Sequence, residues 1–183
     1  LELTINTYKS MKNTIIRYGL RSAITICLLA LAGWFLGKNL DYSIQEVIGY
    51  AGIIISLLFV FLGIKQYRDK ENNGIVSFGK ALLIGILITL IAALAFGILD
   101  VIYIKYINPD FMAEYYSHYV EQMKNSLPQA ELEIKLAELE AQKELFSNRF
   151  MSFFLMFATV FMIGFIISLI SALILQRKPM PGN

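Results

Sequence analysis

An all-α integral membrane protein is the reading this chain supports: a bundle of four transmembrane helices, with an extracytoplasmic amphipathic helical hairpin between helices three and four. Three observations carry it. Four long apolar stretches cover about 20–37, 47–64, 81–104 and 150–175. Hydrophobic residues make up 57% of the 183 positions and charged residues 16%, against roughly 25% charged in ordinary soluble domains. The mean hydropathy is +0.60. Crossing a hydrocarbon core of about 30 Å takes roughly 20 apolar residues in a helix, and the last three stretches meet that.

The first stretch is the shortest. Its uncharged run, Ser22–Gly37, must borrow flanking residues to span. Lys12, Arg17 and Arg21 precede it, and Ala30-Leu31-Ala32 matches a small-residue cleavage pattern. The apolar run continues through Trp34-Phe35-Leu36 with no polar region before that site. An uncleaved first span is therefore expected rather than a signal peptide. The chain begins at Leu1, and Met11 reads as a natural start. Residues 1–10 are expected to be an upstream or disordered segment, 11–178 a single membrane domain, and 179–183 a loose tail.

Basic residues set the expected orientation. Lys12, Arg17 and Arg21 lie before span one, and Lys65, Arg68, Lys70 and Lys80 between spans two and three. Arg177 and Lys178 follow span four. Lys and Arg in short loops stay cytoplasmic. Both termini and the 65–80 loop are expected in the cytoplasm, with 38–46 and 105–149 outside. Trp34, Phe35, Tyr42, Tyr50, Tyr103 and Tyr106 then fall near the outer face, and Tyr18, Tyr67 and Phe78 near the inner one. Anchoring at headgroup level explains these rings more simply than ligand stacking.

Small residues recur at helical spacing. Span three carries Ala81, Gly85, Thr89, Ala93 and Gly97, and span four carries Gly164, Ser168 and Ala172. Lipid gives apolar helices little reason to associate, so small residues that let backbones approach are expected to mark packing seams. Thr89 and Ser168 are expected to be interhelical hydrogen-bond donors. Asp100 is the acid within a span, three residues after Gly97. An ionisable group there is a candidate ion or proton ligand. It lies about 7 Å from Lys105 along the helix, so structural pairing near the interface is the simpler expectation.

The segment 108–147 has its own helical pattern. Asn108-Pro109-Asp110 reads as a helix start. Phe111, Tyr115, Tyr119 and Met123 then share a face, and Asn125-Ser126-Leu127-Pro128 breaks the helix. Ser126 and Gln129 match a capping box. A second stripe follows at Leu132, Leu136, Leu139 and Phe146, with Glu131 and Lys135 spaced for an i,i+4 pair. This helix is expected to run on into span four. The two stripes cover each other or the membrane surface, or they form a face for a partner.

Several functions are not supported by these residues. A single His118 and a single Cys27 offer no metal cluster or disulfide. No phosphate loop, nucleophile elbow or HExxH occurs, so an enzyme, a cofactor and a metal are not expected. A net charge of +2 without a basic tract excludes nucleic acid as an expected partner. The charged run Arg68-Asp69-Lys70-Glu71-Asn72-Asn73-Gly74 is expected to be a solvated turn. The expected partners are the lipid bilayer and, through the hairpin, a second copy or another membrane protein.

Tyr67-Arg68-Asp69-Lys70-Glu71-Asn72, then Gly74 and Ser77-Phe78-Gly79-Lys80-Ala81, resembles the loop of an uncharacterised bacterial four-helix membrane family, a domain of unknown function frequent in Bacteroidetes-type genomes. Ile107-Asn108-Pro109-Asp110 and the closing run from Gly164 to Leu175 with Gln176-Arg177-Lys178 resemble the same family. The resemblance implies an inner-membrane protein of this topology. It implies no activity. The resulting expectation is a structural or interaction protein, with a small transporter or channel using Asp100 as the alternative.

Overall fold

A computed structural model describes residues 2–177, without the side chains of 2–7, 112, 130 and 142–147. The tail 179–183 and the side chain of Phe146 lie outside the described residues. Six α-helices follow in order: α1 Glu2–Leu36, α2 Tyr42–Gln66, α3 Phe78–Ile102, α4 Phe111–Ser126, α5 Gln129–Ser147 and α6 Arg149–Leu175. The ends of α2 and α3 widen into π-helical turns, Tyr67–Glu71 and Tyr103–Ile107. Among the described residues the one β-type pairing is the bridge between Val76 and Arg177.

Four helical segments are long and apolar enough to cross a membrane: Tyr8–Leu36, Tyr42–Glu71, Phe78–Ile107 and Arg149–Leu175. α1 reaches back to Glu2, so residues 2–10 are helical rather than without fold. No proline or glycine interrupts them, and a helix propagates cheaply once nucleated.

The chain divides into two compact units, Leu1–Phe96 with Phe157–Asn183, and Gly97–Met156. In the first, α1, α2, α3 and α6 share one core. Ile26, Leu57, Val60, Ile64, Ile84, Ile88 and Val160 are buried there. Polar groups sit inside as well, with Thr14, Ser22, Ser56, Thr89 and Ser168 fully buried. Large apolar side chains face outward: Ile24, Leu28, Leu58, Met162, Ile170 and Ile174 are all more than half exposed. An apolar exterior of this extent suits hydrocarbon as solvent.

The second unit holds α4 and α5, which contact each other across Leu127–Pro128. Three local expectations change there. Ser126 does not cap α5: its hydroxyl turns back and donates to the Gln122 carbonyl at 2.8 Å, and Pro128 is the N-cap. Lys135 pairs with Glu138 at 2.8 Å, one turn on, rather than with Glu131. α5 does not run into α6. Asn148 interrupts them in extended backbone, and its side-chain oxygen accepts from the Phe150 N–H at 3.0 Å. An asparagine cap satisfies an orphan donor at the new helix start, which favours a break there.

Candidate functional site

The most elaborate polar structure is the segment 67–76, of which the sequence reads Arg68–Gly74 as a solvated turn. It is instead fastened on two sides. Tyr67 is fully buried and Arg68 is 8% exposed. The Arg68 guanidinium holds both Asp69 oxygens, Nε to Oδ1 at 2.6 Å and Nη2 to Oδ2 at 3.0 Å. Its remaining arm, Nη1, donates to the Leu175 carbonyl at 3.3 Å. That carbonyl belongs to the last turn of α6, where acceptors lack helical partners. Beside it the chain makes a two-way bridge: Arg177 N–H to the Val76 carbonyl at 2.8 Å, and Val76 N–H to the Arg177 carbonyl at 3.2 Å.

Glu71 fastens the other side to α1. Its carboxylate accepts from Ser10 Oγ at 2.5 Å and from Thr14 Oγ1 at 2.6 Å, and Arg17 Nη2 lies 3.4 Å away. The turn closes on itself where Gly74 N–H meets the Arg68 carbonyl at 2.7 Å and the Asn72 side chain meets the Ile75 carbonyl. Asn73 (φ 53°) and Gly74 (φ 78°) sit in the left-handed region. Asn and Gly are the residues that enter it at least cost. The Asn-Asn-Gly run was the available signal for an ordered turn. The partners Ser10, Thr14 and Leu175 are too distant in sequence to be read from it.

The small residues of α3 and α6 face one another. A β-carbon on Gly85 would lie 2.8 Å from Ser168 and 3.2 Å from Val60. One on Gly164 would collide with Thr89. Thr89 Oγ1 and Ser168 Oγ are 3.5 Å apart, and Ser168 donates to the Gly164 carbonyl at 2.7 Å. Ala93 and Ala172 are fully buried. A parallel contact joins α1 to α2, where Ser22 Oγ donates to the Ser56 carbonyl at 2.8 Å.

In the second unit Asp100 is 8% exposed and accepts from Ser152 Oγ at 2.7 Å. Ser152, from α6, is the partner the sequence reading lacked. A β-carbon on Gly97 would meet the Phe153 ring at 2.9 Å. The aromatic stripe of α4 forms a chain of rings: Tyr103 to Phe111 at 5.6 Å, Phe111 to Tyr115 at 6.0 Å, and Tyr115 to Tyr119 at 4.6 Å between centroids. Met123, Leu132, Leu136 and Leu139 are half-buried. Tyr116, off that stripe, is 6% exposed, and burial raises its hydroxyl pKa. Among the described residues no group of three or more His, Cys, Asp or Glu gathers in a way that would hold a metal ion.

Long apolar helices with lipid-suited exteriors and hydroxyl groups turned inward make this a multi-pass helical membrane protein. A family model described as "Protein of unknown function (DUF4199)" matches residues 17–177, and the chain belongs to that family. No curated protein and no solved structure matches it.

Proposed function

We propose that this chain is a structural or assembly protein of a bacterial inner membrane and that it acts without catalysis. In this reading both termini and the 65–80 loop are cytoplasmic. The α4–α5 pair stands outside as a hairpin that meets a second copy or another membrane protein. The supporting observation is how the polar groups within the helices are used. Ser22, Ser56, Thr89, Ser152, Ser168 and Asp100 all hydrogen-bond to a neighbouring helix or to their own backbone. Such bonds hold helices together, whereas a conduction route needs polar groups turned toward a water path. An open groove of about 650 Å³ along Tyr116, Ser117, Val120 and Lys124 of α4 adds a surface for the partner. Cross-linking in native membranes, then purification in mild detergent, is expected to recover one neighbour in fixed stoichiometry. A solitary protein would count against assembly.

A second reading, a small transporter or channel, draws on Asp100. Its carboxyl is buried in an apolar stretch, and Ser152 is its one hydrogen-bonding side chain among the described residues. Intramembrane acids of this kind mark ion and proton paths in other proteins. Ion flux in proteoliposomes separates the two readings.

A further inference from the structure

α1 carries its basic residues deeper than the other helices do. From Arg21 to the helix end at Leu36 is about 22 Å at 1.5 Å per residue, short of a hydrocarbon core of about 30 Å. On α2 the distance from Tyr42 to Lys65 is about 35 Å. The packing gives the same offset. Ser22, next to Arg21, bonds to the Ser56 carbonyl, and Ser56 lies about 13 Å along α2 from Lys65. Arg21 therefore leaves the backbone below the level where the other basic residues sit.

Both arginines belong to the lipid-facing stripe of α1. Arg17, Arg21, Ile24 and Leu28 follow one another at helical spacing, and all are exposed. Helical side chains lean toward the N-terminus, which here is the way out of the hydrocarbon. Their guanidinium carbons converge on one ring, 5.4 Å from the Tyr18 centroid for Arg17 and 5.1 Å for Arg21. The Tyr18 ring is itself fixed, 9% exposed and 6.5 Å from Phe59. Two planar cations thus lie against one buried ring near the boundary of the apolar region. Glu71 touches Arg17 alone, and its oxygens already accept from Ser10 and Thr14. Among the described residues Arg21 has no acidic partner.

We propose that Arg17 and Arg21, stacked on Tyr18, bind the phosphate of an anionic phospholipid on the outer surface of α1. The inference rests on the membrane reading above. Phosphate is the anion a bilayer presents at this depth, and paired guanidinium forks match its oxygens. The recess of about 280 Å³ lined by Ser10, Asn13, Arg17 and Glu71 adjoins the site and adds the Asn13 amide, while the Ser10 hydroxyl there is already given to Glu71.

The test is retention of phosphatidylglycerol, counted by native mass spectrometry after reconstitution into mixed phosphatidylcholine–phosphatidylglycerol nanodiscs. The wild type is expected to keep phosphatidylglycerol through delipidation. Arg17→Gln with Arg21→Gln should weaken retention by roughly 25-fold, about 5-fold for each basic side chain. Lys65→Gln with Lys80→Gln removes the same charge elsewhere and should change it less than 2-fold. Equal losses in the two double variants would reduce the effect to diffuse surface charge and overturn the site. Displacement of the lipid by millimolar inorganic phosphate would overturn the lipid assignment in favour of a soluble phosphate. Arg21→Gln alone changes an exposed side chain, and it carries the same comparison if the double variant does not fold. Failure of the wild type to enter the discs would count against the membrane reading. Entry without retained phosphatidylglycerol would count against the site alone.

Discussion

Thr14 of α1 donates to both carboxylate oxygens of Glu71, at 2.6 Å each, although the two residues are 57 positions apart. Thr14 is fully buried, and Ser10 reaches the same carboxylate from one turn earlier. Glu71 ends the π-helical turn that follows α2. One side chain thereby locks the first helix of the chain to the connection between α2 and α3. Arg68, three residues before it, locks the same connection to the end of α6.

Removing that carboxylate is expected to cost stability. Glu71→Ala leaves a buried Thr14 hydroxyl without its acceptor, a loss of about 1–3 kcal/mol. Glu71→Gln keeps one acceptor oxygen and should cost less. Thermal unfolding in detergent measures both, and protease cleavage between Lys70 and Lys80 should rise in step. Equal melting temperatures for wild type and Glu71→Ala would mean that the bonds contribute nothing to holding the loop.

The helix seam makes a second prediction, with an internal control. Gly85→Ala places a methyl 2.8 Å from Ser168, and Gly164→Ala drives one into Thr89. Overpacking of this kind costs about 1–3 kcal/mol. Gly49→Ala meets nothing within 4 Å. It should be neutral, or stabilising by up to about 1 kcal/mol, because alanine is the better helix former. If all three glycines respond alike in detergent melts, close approach at Gly85 and Gly164 is not what holds α3 to α6.

How much of this was legible in the sequence differs from feature to feature. The apolar helices were, because hydrocarbon thickness fixes their length. The faces of α3 and α6 were, because small residues at every fourth position lie on one side of a helix. The loop was not. Charge and glycine mark a turn, but they do not say whether Arg68 turns to water or to the Leu175 carbonyl. Asp100 was legible as an oddity and not as a pair, since Ser152 is one unremarkable hydroxyl in an apolar run. The break before α6 turned on the Asn148 side chain accepting from the Phe150 N–H, a local competition that a hydrophobic pattern does not record.

Asp100 makes the third prediction. Asp100→Asn retains an oxygen that accepts from Ser152, so the fold and the melting temperature should change little. Asp100→Leu removes that acceptor and should destabilise by about 1–3 kcal/mol. In proteoliposomes neither a pH gradient nor a cation gradient should drive flux through the wild type. A flux present in the wild type and lost in Asp100→Asn would move the carboxylate from helix packing to transport.

Orientation is the fourth prediction, and its labelling sites follow from the structure. Ser77 and Ser117 are both exposed. Ser77 is the better probe of the 65–80 loop than Asn73, whose φ of 53° a cysteine would adopt only under strain. In a Cys27→Ala background, Ser117→Cys should react with an impermeant thiol reagent on intact cells. Ser77→Cys should react only after lysis. The expectation comes from the placement of Lys65, Arg68, Lys70 and Lys80 on one side of the span pair, where basic side chains resist translocation. Labelling of Ser77→Cys from outside would invert the topology. The α4–α5 pair would then lie in the cytoplasm, and Arg17 and Arg21 would meet the outer leaflet instead of the inner one.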